Sequence, residues 1–318
     1  MLFVLIATVV AADAVRDSSL VWNPEIARIS APLEDINYPG GWILPEKRQC
    51  VDICVKASPF PTCFVNTTDC IHKKQQPGDY NNLVFEQLYL PQYCRDLLLG
   101  IDSTVSHRPV APYPRGIRCI PPVRSRLTIH GLWPNYIDGF PACCNATSAI
   151  RNRPFDPFDL VAKTPDLFHH LAAEWPDPTQ VVSTDSLCEL WNHEFQKHGL
   201  CFSVLPHDFT ATAVQYFEAA LTISRQLAMA TDQLEQWATA TLVDKVSTEE
   251  IARLYNNLVQ IDCSNATSGL QLARIRTCWG KDGRQIDCPP GGSCPRDATA
   301  ISLDAYSPPR KTERIMKT

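Results

Sequence analysis

Leu127-Thr-Ile-His-Gly-Leu-Trp-Pro-Asn135 and His193-Glu-Phe-Gln-Lys-His-Gly-Leu-Cys201 decide how this chain is read. The first opens on an alternation. Leu127 and Ile129 point one way, Thr128 and His130 the other, which is the period of a half-buried strand. The spacing predicts a short strand over 126–130 that ends before Gly131, where the chain turns and exposes His130. The second closes a stretch from Thr184 to His198 in which Leu187, Trp191 and Phe195 step by four. That spacing predicts a helix with Gly199 as its stop. At about 100° per residue, Glu194 and His198 lie one turn apart, as do His193 and Lys197, and all four fall within roughly 140° of arc. Ionisable groups beside a buried apolar stripe are costly unless satisfied, so they need an explanation. Two imidazoles supplied by separate elements can serve as base and acid on one phosphodiester.

Blander readings exist for each piece. Glu194 and His198 could simply fasten a helix to the core. His130 could be a core histidine bonded to backbone. Trp133 and Asn135 could stack on a base and bond its edge, or Trp133 could be core. A zinc protease needs two helical histidines four residues apart. His193 and His198 are five apart and diverge by about 140° on an ideal helix. No metal and no cofactor is therefore expected.

Outward from these segments, Leu83 to Leu90 is apolar and aromatic and stops at Pro91, as a strand would. A helix follows Asp208, carrying Val214, Phe217 and Leu221. Another begins at the capping box Ser247-Thr-Glu-Glu250 and continues through Ile251, Leu254 and Leu258. Gly269 to Trp279 reads as a late strand. Strands and helices mix without regular βαβ units, which indicates an α+β fold.

The chain has 318 residues and a formal net charge of −5. That balance does not suit a protein gripping long duplexes through many phosphates, so stable duplex DNA binding is not expected. Leu2 to Ala12 is an almost unbroken apolar run followed by Ala12-Asp-Ala14, the pattern of a secretory signal peptide over 1–14. The run is too short to span a bilayer, and no later stretch approaches that length, so no membrane span is expected after cleavage. Fourteen cysteines and the sequons at Asn66, Asn145 and Asn265 agree with an oxidising compartment and a glycoprotein. Residues 15–78 read as an extension in which Cys50, Cys54, Cys63 and Cys70 form disulfides rather than a zinc knuckle. The polar stretch 297–318 is expected to be a disordered tail.

Both opening segments resemble, nearly end to end, the two active-site segments of the ribonuclease T2 family of secreted or vacuolar-lysosomal acid endoribonucleases. Leu88-Tyr-Leu-Pro-Gln-Tyr-Cys94 is similar to the family's first core strand, although the family usually has Trp where Tyr89 or Leu90 stands. Arg276-Thr-Cys278 and Ile286-Asp-Cys288 resemble its closing strands. The similarity spans about residues 79–296. It implies a central, mainly antiparallel sheet flanked by helices and stapled by disulfides. It implies His198 as general base, His130 as general acid, Glu194 and Lys197 as stabilisers of the pentacoordinate phosphorane, and His193 as a phosphate contact. The substrate would be single-stranded RNA, cleaved with little base preference to a 2′,3′-cyclic phosphate and then a 3′-phosphate. The expected bridges are Cys94–Cys119, Cys278–Cys288 and Cys263–Cys294, with Cys201 joined to Cys143 or Cys144 and Cys188 to the other. A monomer is expected, secreted or held in a lysosome or vacuole lumen. The rival reading is a secreted interaction or signalling protein that keeps the fold and binds through the extension.

Overall fold

The computed structural model describes residues 77–99, 119–136, 157–179, 190–203, 208–240, 245–265 and 269–307, together with the strand pairs at 43–44, 49–50, 62–63 and 139–140. The predicted signal peptide, Cys54, Cys70, Asn66, Cys143, Cys144, Asn145, Cys188 and the chain beyond 307 lie outside these residues.

Eleven short or long strands and seven helices alternate among the described residues. Strands β1 (Ile43–Leu44) and β2 (Gln49–Cys50) pair with each other, and β3 (Thr62–Cys63) pairs antiparallel with β6 (Gly139–Phe140). The principal sheet contains β4 (Asn82–Tyr89), β5 (Leu127–Asn135), β7 (Lys245–Val246), β8 (Gln260–Ser264), β9 (Leu270–Trp279), β10 (Gln285–Ile286) and β11 (Ile301–Ser302). Its order is β5-β4-β9-β11-β7, with β8 and β10 also on β9. All its pairings are antiparallel except β11 with β9. This is the expected α+β class.

Helices α1 (Leu90–Leu99), α2 (Pro157–Lys163), α3 (Pro165–Glu174), α5 (Phe209–Gln226), α6 (Ala228–Thr239) and α7 (Thr248–Ala252) surround the sheet. Between α3 and α5 lies α4, spanning 192–202. It is α-helical at Asn192–Glu194 and Leu200–Phe202, with a π turn at Phe195–Gly199 between them. One face of the sheet (Leu83, Phe85, Tyr89, Leu127, Ile129, Leu132) packs with α3, α4 and α5 in the main core. A second, smaller cluster gathers Leu88, Leu90, Tyr93, Leu97 and the Cys94–Cys119 bridge.

Three sequence expectations need correction; the end of the first strand before Pro91 is not one of them. Strand β4 gives way directly to α1, where proline is tolerated because a first-turn N–H has no helical partner. The strand carrying His130 does not stop at Gly131 but runs to Asn135. Pro134 is accommodated because β5 is the edge of this sheet. The helix at the capping box is real, with both reciprocal bonds formed, but it ends at Ala252, and Leu258 lies exposed instead of on a buried stripe. The stretch from Asp297 to Ser307 is not a loose tail. Ile301 and Leu303 are buried, Tyr89 Oη donates to the Leu303 carbonyl at 2.6 Å, and the Arg95 guanidinium bonds the carbonyls of Asp304 and Ala305.

The bridges Cys94–Cys119, Cys263–Cys294 and Cys278–Cys288 are formed. Cys201 is also disulfide-bonded. Asn265 is exposed. No described helix is long and apolar enough to cross a membrane.

Candidate active site

The ladder between β4 and β5 is in register from Leu83↔Pro134 to Glu86↔Gly131, then resumes at Gln87↔Ile129. His130 is the extra residue of that β-bulge. A bulge bends the strand and re-aims one side chain, which explains why simple alternation does not describe this position. The bulge also displaces backbone groups on an edge strand, and these must be paired if buried. Trp175 Nε1 donates to the His130 carbonyl at 2.8 Å, and Tyr216 Oη donates to the Leu132 carbonyl at 2.9 Å. Trp191 Nε1 in turn donates to the Trp175 carbonyl at 2.8 Å. The aromatic residues at the end of α3, before α4 and in α5 thus fix the backbone that carries His130.

The opposing wall is α4. Gly199 does not stop it: φ is −62° and ψ −36°, within the helical region. The Leu200 N–H bonds the Phe195 carbonyl, the i→i−5 step of a π turn. A side chain at Gly199 would run into the rings of Phe195 and Tyr216, so glycine lets α4 settle against α5. Phe195 packs edge-on to Phe209 with centroids 5.2 Å apart. The 100° arithmetic therefore fails across 195–199, and His198 reaches the site from a locally widened turn.

These supports bring four of the expected residues together. The His130 ring lies edge-on to Trp133 at 5.2 Å between centroids, and the His198 ring lies 5.6 Å from the same indole at 40°. Trp133 Nε1 donates to Glu194 Oε2 at 2.8 Å, while Glu194 Oε1 lies 3.9 Å from His130 Nε2. Gly131 is required here. A Cβ would overlap the Glu194 carboxylate and the Trp133 indole nitrogen. Both histidines are buried, each residue about 6% exposed. Trp133 thus packs against both histidine rings, with its N–H committed to Glu194. Asn135, at the end of β5, accepts the Asn81 N–H through its carbonyl at 2.9 Å. The His193 side chain is outside what is described.

Burial pushes the Glu194 carboxyl up to about 7, with His130, the Trp133 N–H and Lys197 only partly opposing it. Burial likewise lowers Lys197, and Glu194 pulls it back.

Sequence reasoning missed Glu86. It is fully buried, and its Oε1 lies 2.6 Å from His130 Nδ1. Arg276, directly opposite on β9, binds Oε2 through Nε at 2.5 Å, and Arg274 Nη1 is 3.7 Å from Oε1. Burial alone would raise this carboxyl. The hydrogen bond and charge of His130, with Arg276 and Arg274, reverse that and hold it at about 2. A signal is present in the sequence: one acid inside the apolar run Leu83-Val-Phe-Glu-Gln-Leu-Tyr89, and two arginines two apart, hence on one face, in Arg274-Ile-Arg276.

A model of the ribonuclease T2 family matches residues 80–288. The chain belongs to the ribonuclease T2 family. Among family members, ribonuclease DdI of Dictyostelium discoideum is 29% identical over 238 residues, covering 72% of this chain and 87% of its own length. Extracellular ribonuclease LE of Solanum lycopersicum is 27% identical over 252 residues, covering 75% and 93%. The crystal structure of Japanese pear S3-RNase superposes with a TM-score of 0.49 at 20% identity, over 70% of this chain and 100% of that one.

Proposed function

We propose that this protein is an endoribonuclease that cleaves single-stranded RNA by transphosphorylation. His198 takes the proton of the ribose 2′-hydroxyl as the 2′-oxygen attacks phosphorus. His130 protonates the 5′-oxygen as its bond to phosphorus breaks. The products are a 2′,3′-cyclic phosphate and a 5′-hydroxyl. In the second step the two histidines exchange roles, and water opens the ring to a 3′-phosphate. The observation that carries this reading is the pair of imidazoles packed against one indole, Trp133, beside a buried acid on α4.

The electrostatics support work in mild acid. Unperturbed imidazoles titrate near 6.5, so a neutral base and a charged acid coexist there. With its carboxyl raised to about 7, Glu194 is mostly neutral at pH 5 and can donate to a phosphoryl oxygen instead of repelling it. Lys197 supplies positive charge where the phosphorane becomes negative. The nucleophile belongs to the substrate and is already close to phosphorus, so the reaction asks for no metal and excludes DNA. His193 as a phosphate contact and Asn135 as a base contact complete the proposed site. With its N–H held by Glu194, Trp133 would meet a base through its ring face. Secretion, or delivery to an acidic lumen, fits the leader and the disulfides.

Purified protein incubated with RNA at pH 5 in EDTA should degrade it, with a bell-shaped pH profile. His130→Ala and His198→Ala should each lower kcat/KM by roughly 10²–10⁴-fold while melting like the parent. Intact RNA, or full activity in either variant, contradicts the reading.

A further inference from the structure

Glu86 has no part in the chemistry described so far, yet it is the most completely enclosed ionised group at the site. Burying a carboxylate is expensive unless it is paired and hydrogen-bonded. Here the pairing is a row that crosses four strands. His130 on β5 meets Glu86 on β4, Glu86 meets Arg276 on β9, and Arg276 Nη1 meets Asp262 Oδ2 on β8 at 2.9 Å. Arg274 Nε bonds the same Asp262 oxygen at 2.8 Å, and the Ser293 N–H bonds Asp262 Oδ1 at 2.7 Å. Each acid in the row is bound on more than one side, so Glu86 cannot swing without breaking its contact to an arginine.

We propose that Glu86 is a positioning residue for His130: its carboxylate accepts the Nδ1 proton, so that Nε2, on the Glu194 side, is the atom that delivers a proton to the departing 5′-oxygen. The proposal rests on the acid role given to His130 above. Three features support it. The bulge aims the His130 ring at β4 rather than along the ladder. The Nδ1–Oε1 distance of 2.6 Å is that of a charge-assisted hydrogen bond. The neighbouring strand opposes Glu86 with a cation at the directly paired position, which keeps the carboxylate an acceptor. In the cleavage step His130 gives up its Nε2 proton as the P–O5′ bond breaks. The neutral ring keeps its Nδ1 proton on Glu86, and Nε2 recovers a proton from the attacking water in the second step.

The charged groups around the His130 ring are Glu86 from β4, Arg274 and Arg276 from β9 acting through Glu86, and Glu194 from α4 with Lys197 acting through it, while His198 lies against the shared Trp133 indole. Among these, Glu86 makes the shortest contact to the ring. A carboxylate on Nδ1 favours the imidazolium, so its removal makes His130 lose its proton at lower pH.

The test is Glu86→Gln assayed with two substrates: a dinucleoside phosphate, whose leaving oxygen needs a proton, and a uridine 3′-(4-nitrophenyl phosphate), whose leaving group does not. The expected result is a fall in kcat/KM of roughly 10–100-fold on the dinucleotide. The alkaline limb of its pH profile should also move to lower pH, with less than about a threefold change on the nitrophenyl ester. Equal losses on both substrates, or an unmoved alkaline limb, would overturn the proposal. His130→Ala separates this from the underlying reading. If it too loses equally on both substrates, His130 is not the acid and the wider reading fails. Should Glu86→Gln not fold, the parent labelled with ¹⁵N-histidine decides. The neutral His130 ring must carry its proton on Nδ1, and an Nε2-protonated neutral ring refutes the assignment.

Discussion

Two buried glutamates face the same imidazole from opposite sides, and their fates differ. Glu86 sits on the sheet with two arginines behind it and is held ionised at about 2. Glu194 sits on α4 with an indole N–H, a half-buried lysine and the far nitrogen of His130, and it is raised to about 7. Both are almost wholly enclosed. Burial alone therefore does not set the charge of a carboxyl; whether its partners outweigh that burial decides it. The sheet offers fixed cations at paired cross-strand positions, while the helix offers weaker and more distant ones. The result is a permanent anion on one side of His130 and a titrating acid on the other.

The difference can be broken by mutation and by pH. The largest expected effect is on stability at Glu86. Glu86→Ala strips Arg276 and Arg274 of a buried partner and should cost about 3 kcal/mol at neutral pH in urea titrations. With a folded value below the 4.5 of an ordinary glutamate, Glu86 stabilises the protein above that pH, and its contribution fades as pH falls from 4.5 towards 2. Glu194 has the opposite sign. Its folded value is above 4.5, so the folded state holds more protons than the unfolded one between 4.5 and about 7, and stability drops as pH rises through that window. Glu194→Gln should accordingly be more stable than the parent at pH 8, by up to about 3 kcal/mol, with the advantage gone below pH 4.5. Thermal melts of both variants from pH 3 to 8 check this, and parallel curves would remove the contrast.

A smaller effect is expected at Gly131. Gly131→Ala forces a methyl group between the Glu194 carboxylate and the Trp133 indole, and should cost about 1–3 kcal/mol as overpacking. It should also reduce RNA cleavage, because the same methyl group separates β5 from α4. Unchanged stability and turnover would mean that the two walls approach less closely than described.

The residues whose chemistry shows in their type are legible in the sequence. His130, His198, Glu194 and Lys197 read as one constellation, and His130, His198 and Glu194 all contact Trp133. The framework behind them is less legible. The bulge at His130 depends on a register between β4 and β5 that neither strand encodes alone. The π turn at 195–199 leaves no periodic signature, so Gly199 reads as a helix end when it is a contact point for Phe195 and Tyr216. Polarity misleads in the same way over 297–307. There, two buried apolar residues, Ile301 and Leu303, are enough to recruit the segment into the sheet. Glu86 is the costliest omission. An acid in an apolar strand is a visible anomaly, but its meaning depends on Arg276, 190 residues later.

The central claim is that two imidazoles cleave RNA through the ribose 2′-hydroxyl. Mass analysis of the first products formed from a short single-stranded RNA in EDTA at pH 5 tests it most directly. A fragment ending in a 2′,3′-cyclic phosphate, with a 5′-hydroxyl on its companion, is the expected result. A 5′-phosphate, or cleavage that persists in RNA blocked by 2′-O-methylation, would contradict it.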